Sequence, residues 1–257
     1  LAQETAADAA GQENAVALYT ALGDYKDSAD RARQTLYRMG VSAMEAGRYD
    51  SAAETFLTLG TYQDSQTQLL ESQYRQADKL FAGESYIAAR ILFADLGAYR
   101  DAAARVMDCD FALGQEAFAQ GDYQTAVEKL TAAGTAEGAE ALLKQASYAL
   151  AEQLRLAGEL QRAGILYQQA GDYSDAPVKA NATLYELARE RMDAGEYEAA
   201  AALYARIPAY LDSETLAEEC VYQQAVQAYN ANDDVQAIAF LEQIPRHTKG
   251  SALLKQS

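Results

Sequence analysis

The sequence is poor in the residues on which most catalytic and metal sites depend. Among 257 residues it has 1 His, 2 Cys and no Trp. Structural zinc and iron–sulfur sites need clusters of Cys and His, so this inventory nearly excludes them, and a His-based catalytic triad would have to use His247. With only 3 Pro and 16 Gly, the sequence is not that of a collagen-like or proline-rich disordered chain.

Basic side chains are also few. The 21 Lys and Arg are outnumbered by 38 Asp and Glu, which leaves a formal charge of −17. Such a field repels phosphate backbones and anionic lipid surfaces, so we expect no nucleic-acid partner. No run approaches the roughly 18 apolar residues that span a bilayer, and residues 1–4 have no signal-peptide character. We expect no direct membrane insertion, and a soluble segment that is cytoplasmic or the exposed part of an anchored protein.

What the sequence has in abundance is an internal repeat. In the first three copies a connection with the sequence Leu-Gly-x-Tyr-x-Asp ends at Asp27, Asp64 and Asp101, which are 37 residues apart. The Gly or Pro of the connection recurs without insertion at positions 23, 60, 97, 134, 171, 208 and 245. Repeats of this length are built from stacked supersecondary units. We therefore predict one array over residues 1–257, with both ends inside a repeat: residues 1–9 in the back half of a long helix, and 251–256 at the start of another.

Each unit is predicted to be a helix–turn–helix hairpin. From Asp27 to Ala46 apolar residues recur at spacings of three and four, which is typical of a helix. A shorter helix is predicted from Asp50 to Leu59, ending at Gly60, which can adopt the left-handed conformation. The aspartate that opens each long helix is predicted to cap it by accepting free backbone N–H groups. These N-caps are Asp27, Asp64, Asp101, Asp175 and Asp212.

Aromatic residues occupy equivalent positions in the repeat, and we predict that they form the core. The long-helix column is Tyr37, Tyr74, Phe111, Tyr148, Tyr185 and Tyr222. The short-helix column is Tyr19, Phe56, Phe93, Leu130, Tyr167, Tyr204 and Leu241. A binding groove lined by the long-helix column is the alternative, but a residue kept in every copy is more readily explained by packing.

These patterns resemble the tetratricopeptide repeat. The resemblance rests on Ala-x-x-x-aromatic in the short helix, as at Ala52/Phe56, on a small residue in the long helix, as at Ala77, and on Gly-x-Tyr before the short helix. The period is 37 instead of 34, the family's Trp is absent, and Asp replaces the Pro that closes each unit. The resemblance, to a bacterial-style variant, implies an all-α fold: a right-handed α-solenoid that binds protein without enzymatic activity or a cofactor.

The few chemically versatile residues fit packing better than chemistry. His247 falls at the position of the turn tyrosines, so we interpret it as a drifted aromatic. Cys109 and Cys220 lie in a column of small residues three units apart, too far for a disulfide, whose Cα atoms must lie within about 7 Å. The acidic pairs Asp108/Asp110, Glu218/Glu219 and Asp233/Asp234 point to different helix faces and are predicted to be solvated. No metal, cofactor or catalytic site is predicted.

A partner surface is predicted where side chains differ between copies. The resemblance places the long helix along a concave groove, and the excess of acid favours a basic or extended peptide there. The candidate partner-binding residues are Val41, Met44, Asp78, Phe81, Gln115, Phe118, Glu152, Arg155, Arg189, Met192, Val226 and Tyr229. A structural spacer within a larger protein, and an enzyme or small-ligand binder, are the alternatives.

The fourth connection is irregular. Gly134–Gly138 lacks both the turn Tyr and the Asp that opens the long helix. We therefore predict that coupling between neighbouring repeats is weakest near residues 131–142.

Overall fold

A computed structural model of the chain describes residues 9–254 and is helical throughout, with no strand in that range. Six long helices alternate with shorter ones. In chain order the helices are α1 (Ala9–Ala21), α2 (Ser28–Glu45), α3 (Tyr49–Leu59), α4 (Ser65–Ala82), α5 (Tyr86–Leu96), α6 (Ala102–Ala119), α7 (Tyr123–Ala133), α8 (Ala139–Leu156), α9 (Leu160–Ala170), α10 (Ala176–Asp193), α11 (Tyr197–Tyr204), α12 (Ser213–Asn230), α13 (Asp234–Leu241) and α14 (Thr248–Leu254).

The helix boundaries follow the sequence period. Each of the six long helices has 18 residues and begins 37 residues after the previous one. The predicted long helix from Asp27 to Ala46 is observed as Ser28–Glu45, and the short one ends at Leu59 as expected. The all-α prediction is confirmed. The helix predicted over residues 1–9 falls almost wholly outside the described residues, whereas α14 lies where the last one was expected.

The chain divides into two compact units. One is drawn from Leu1–Ala117 and Glu128–Ala139, the other from Phe118–Val127 and Glu140–Ser257. In the first unit, each helix from α1 to α4 packs against the next helix in sequence, and the same holds from α9 to α13 in the second. Hairpins that contact mainly their sequence neighbours are what the short period predicts, because one hairpin is too small to bury its own apolar face.

The first five connections from a short helix to the next long one have left-handed backbone at two points. Gly60 ends α3 with a φ of 58°, a conformation that glycine adopts without a Cβ clash. Three residues later Gln63 has a φ of 50°, which is uncommon for a residue with a side chain. The same non-glycine strain recurs at equivalent positions: Lys26, Arg100, Ser174 and Leu211.

The core consists of the predicted aromatic and small-residue columns. Phe56, Phe93, Tyr167 and Tyr204 of the short helices are completely buried. They face long-helix positions where only a small residue fits: a Cβ on Gly40 would lie 2.8 Å from the Phe56 ring. A second column of small residues is also fully buried, at Thr35, Ser72, Cys109, Ala146, Thr183 and Cys220.

The long-helix tyrosines lie between two other aromatic rings, so their prediction as core residues is confirmed. The ring of Tyr74 packs edge-on against Phe93 of the following short helix, at 5.6 Å between centroids, and against Tyr99 of the next connection, at 6.1 Å. Tyr37, Tyr148 and Tyr185 make the same pair of contacts. Edge-to-face pairs stabilise by about 0.5–1.5 kcal/mol beyond the area that they bury.

Four of the five aspartates that open the long helices make no capping hydrogen bond with their side chains, so that prediction is wrong for Asp27, Asp64, Asp175 and Asp212. Their backbone lies near φ −100°, ψ 22°, outside the extended region from which a capping carboxylate reaches the second or third amide. All except Asp27 accept a hydrogen bond from the tyrosine hydroxyl 27 residues earlier, as Asp101 also does from Tyr74 at 2.6 Å. We call this contact the Tyr–Asp latch. It occurs at Tyr37–Asp64, Tyr74–Asp101, Tyr148–Asp175 and Tyr185–Asp212.

The fifth aspartate and two residues that were not predicted as caps complete the account of capping. Asp27 accepts from the Arg31 guanidinium at 2.9 Å. Carboxylate caps occur on short helices instead, where Asp122 accepts from the Thr125 amide and Asp233 from the Gln236 amide. The long helices therefore use their aspartates to join successive repeats.

The fourth connection has no latch. Phe111 takes the place of the tyrosine and Gly138 takes the place of the aspartate, so both partners of the hydrogen bond are lost together. Gly138 has a φ of 82°, and a Cβ on it would lie 3.3 Å from the Phe111 ring. The division between the two compact units falls one residue further on, after Ala139.

Candidate functional site

The predicted partner-binding residues lie at two equivalent positions of the long helices, three residues apart and so on one helix face. Within the first unit these are Val41, Met44, Asp78, Phe81 and Gln115. Within the second unit they are Phe118, Glu152, Arg155, Arg189, Met192, Val226 and Tyr229. Their surroundings differ greatly, and only some of them are free to meet a partner.

Two carboxylates of this set are already bound by the next long helix. Asp78 accepts from Arg105 at 3.0 Å, and Glu152 accepts from Lys179 at 2.7 Å. Glu152 also accepts from the buried hydroxyl of Tyr167. Burial raises the pKa of Glu152, but the hydrogen bonds from Lys179 and Tyr167 outweigh it, so that the pKa lies below its usual value. These two residues hold repeats together, and their partners were not predicted.

Two apolar members of the set are held within the fold. Met44 is buried in the core, where its sulfur accepts a hydrogen bond from the Ser72 hydroxyl at 3.0 Å, so its prediction as a contact residue is wrong. Phe81 packs edge-on against Tyr86 at 5.2 Å. The Arg105 guanidinium lies 4.3 Å from the Phe81 ring centre, a cation–π contact.

The remaining members offer surface to solvent. Gln115, Arg189 and Tyr229 are exposed, and the tyrosine presents 38% of its surface. The others are half-buried: Val41, Phe118, Arg155, Met192 and Val226. We call the six of these residues that lie in the second unit the long-helix face, which combines apolar side chains with two arginines.

His247 packs as an aromatic residue. Its ring lies 5.1 Å from that of Tyr222, at the place where turn tyrosines pack in other repeats. Its Nδ1 accepts from the Gly250 amide at 3.2 Å, and its Nε2 lies 3.3 Å from a Glu219 oxygen. The prediction that it replaces a turn tyrosine is confirmed.

The two cysteines are free and completely buried. Burial raises the pKa of the Cys109 and Cys220 thiols to about 11, so they are protonated at neutral pH. A nucleophilic or metal-binding cysteine needs the thiolate. The packing interpretation of this column is therefore confirmed.

One predicted surface carboxylate is buried. Asp110 is only 1% exposed, and it accepts from the Arg90 guanidinium through both oxygens at 2.9 Å. The Lys129 ammonium lies 3.6 Å from it. The prediction of a solvated Asp110 is wrong, because helix periodicity assigns a face but not the charged side chains that a neighbouring helix brings to it. Its neighbour Asp108 is partly exposed and pairs with Arg105.

One apolar cleft of the second unit was not predicted. It lies between α9, α10 and α11, has a volume of about 390 Å³ and is called here the α9–α11 cleft. Leu184 and Leu187 of α10 form its buried floor. Its walls and rim are Gln161, Gly164, Ile165, Gln168, Arg191, Ala199, Ala202, Leu203 and Arg206. At about 100° per residue, this side of α10 is roughly opposite to Arg189 and Met192 of the long-helix face.

The repeat shows how this cleft differs from the corresponding place two repeats earlier. Gly164, Leu184 and Leu203 are equivalent to Arg90, Asp110 and Lys129, which lie two repeats earlier in the first unit. There the three side chains form an ionic cluster around the buried Asp110 carboxylate. In α9 a glycine stands in place of the arginine. Comparing aligned copies position by position is the sequence signal that could have revealed the cleft.

Comparison of the chain with protein-family models and with curated proteins finds no match. Among residues 9–254, no group of three or more His, Cys, Asp and Glu is placed to hold a metal ion. No helix in the described range is long and apolar enough to cross a membrane.

Proposed function

We propose that this protein is a non-enzymatic binding scaffold of the tetratricopeptide-like kind, a right-handed α-solenoid that binds another protein or an extended peptide. One observation carries the proposal. Side chains that are the same in most copies are engaged in packing and in the Tyr–Asp latches, whereas those of the long-helix face, which differ between copies, are exposed or half-buried. A solenoid that keeps its packing residues constant is free to vary its surface.

The long-helix face of the second unit is the best-supported place for such a partner. It presents the Tyr229 ring, the Met192 side chain and the Arg189 guanidinium, and aromatic residues, Met and Arg are enriched where proteins bind one another. The carboxylates Asp78 and Glu152 are neutralised by their own basic partners. They therefore add little preference for a basic peptide, and contact with apolar side chains is the stronger expectation.

Selection from a random-peptide display library tests the proposal. Peptides enriched on the intact protein are then measured against the Arg189→Ala/Tyr229→Ala double variant. The matched control is Val235→Ala, which removes an apolar side chain that is 82% exposed at the start of α13. We expect the double variant to weaken binding by at least about tenfold and the control to leave it unchanged.

A structural spacer is the alternative function. A spacer that only holds flanking domains apart has no need of a binding face, so selection would enrich no peptide above background. Enriched peptides whose affinity is the same for the wild type and the double variant would refute the assignment of the partner to the long-helix face.

A further inference from the structure

Gly164 has no structural reason to be a glycine. It lies in the middle of α9, where glycine lowers helix stability relative to alanine. A Cβ built on it would lie 3.8 Å from the Thr183 methyl group and 3.9 Å from Leu184, which are ordinary contacts. By contrast, Gly40 and Gly114 are glycines that a neighbouring side chain requires, with approaches of 2.7–2.8 Å. Gly164 therefore lines the α9–α11 cleft without a side chain of its own.

The charge of the cleft runs against that of the protein. Acidic residues outnumber basic ones by 38 to 21 over the chain. Nevertheless, the residues that line the cleft include Arg191 and Arg206 and no carboxylate. Arg191 donates to Glu196 at 2.7 Å, but Arg206 donates only to the Gln168 amide, at 3.3 Å, and forms no ion pair within residues 9–254. Arg206 therefore has no anionic partner among the described residues.

The equivalent opening of the first unit shows that these features are specific. It lies between α1, α2 and α3 and has a volume of about 530 Å³. Its lining is polar and of mixed charge: it includes Glu13, Glu54 and Arg48 together with serine, threonine and glutamine side chains. Of these two openings, only the α9–α11 cleft has leucines on its floor and a rim whose charged residues are all cationic.

We propose that the α9–α11 cleft binds the C-terminus of a peptide whose last residue is aliphatic. The side chain of that residue lies on Leu184, Leu187 and Leu203, and its α-carboxylate pairs with the two arginines. Arginine is well suited to this task because its planar guanidinium binds carboxylates through two parallel hydrogen bonds.

The rim glutamines favour a peptide over a free fatty acid. Gln161 and Gln168 lie along α9 at the edge of the cleft, where their amides can both donate to and accept from a peptide backbone. A hydrocarbon tail has no such groups. This site is separate from the long-helix face, so either assignment can fail without the other.

Fluorescence anisotropy with a labelled peptide tests the site. The probe is Gly-Ser-Ser-Gly-Ala-Leu with a fluorophore at its amino end and a free carboxylate, compared with the same peptide as its C-terminal amide and with a version ending in Ser. We expect the free acid ending in Leu to bind at least about tenfold more tightly than either of the others. An amide that binds as well as the acid would overturn the proposal.

Two kinds of variant locate the binding. Gly164→Leu fills the cleft while raising helix propensity, so it should abolish binding without lowering the melting temperature; Gly164→Ala adds one methyl group and should weaken binding less. The Arg191→Gln/Arg206→Gln variant should bind at least about tenfold more weakly, whereas Arg162→Gln, which removes a charge from α9 outside the cleft, should bind normally. Normal binding by a folded Gly164→Leu protein, or displacement of the probe by octanoate as readily as by unlabelled peptide, would refute the peptide assignment.

Discussion

The Tyr74–Asp101 latch should be worth a measurable part of the stability of the first unit. Tyr74 is 8% exposed, its hydroxyl lies 2.6 Å from a carboxylate oxygen, and its ring is held by two aromatic neighbours. Tyr74→Phe keeps those ring contacts and removes only the hydrogen bond. A hydrogen bond to a charged group contributes about 1.5–3 kcal/mol, and solvent around the exposed Asp101 reduces this to about 1 kcal/mol.

The assay is a double-mutant cycle in urea, followed by circular dichroism at 222 nm. The wild type, Tyr74→Phe, Asp101→Asn and the double variant give a coupling energy, for which we expect about 0.5–1.5 kcal/mol. Tyr222→Phe is the matched control, because its equivalent partner is Lys249 and not a carboxylate. A coupling energy below about 0.3 kcal/mol, or an equal loss in the control, would refute the assignment of the latch as a stabilising contact.

The same latch predicts how stability depends on pH. The hydrogen bond to Asp101 raises the pKa of Tyr74 to about 12, so its contribution is complete below the ordinary tyrosine pKa of 10 and is lost as pH rises from 10 to 12. The hydrogen bond from Tyr74 lowers the pKa of Asp101 below its ordinary value of 3.8. The stability that this hydrogen bond contributes is therefore complete above pH 3.8 and is lost as the pH falls through the lowered pKa. Absorbance at 295 nm should show one fewer late-titrating tyrosine in the Tyr74→Phe variant.

Three further outcomes are expected. Tyr167→Phe should lower the free energy of unfolding by about 1–2 kcal/mol, because Glu152 loses a hydrogen-bond donor. Tyr204→Phe, at the equivalent position, should leave stability unchanged or raise it, because that buried hydroxyl has no partner among the described residues. The urea midpoints of both variants measure these effects. Amides of residues 131–142 should exchange hydrogen faster than those of the equivalent residues 57–68, because the fourth connection has no latch, and equal protection would contradict this. Leu211 has a φ of 49°, a conformation that Asn adopts more readily than Leu and a β-branched residue less readily. Leu211→Asn should therefore raise the free energy of unfolding and Leu211→Val should lower it, by about 0.5–1 kcal/mol each, measured as shifts in the urea midpoint.

Much of this fold follows from local sequence. The 37-residue step, the helix boundaries and the left-handed Gly60 were all predicted, because apolar spacing, turn glycines and helix ends depend on residues close together in the chain. The core columns followed as well, since a position filled by an aromatic in every copy has the same neighbours in every copy. His247 could be assigned for that reason, although a histidine by itself says nothing of packing.

The errors share a different cause. Asp64 was predicted to cap its own helix but binds a tyrosine 27 residues away, and Asp110 was predicted to be solvated but is enclosed by Arg90 and Lys129. Met44 was predicted to meet a partner but lies in the core. In each case the face of the helix was known, but the side chains that the next helix brings to it were not.

The sequence by itself therefore determined the repeat, its helices and its core, because each repeats a local pattern with a fixed period. Only the tertiary structure decided which polar side chains join one repeat to the next and where a repeat leaves space unfilled. Both depend on the exact approach of neighbouring helices, as at the α9–α11 cleft, where Gly164, Leu184 and Leu203 stand in place of an ionic cluster.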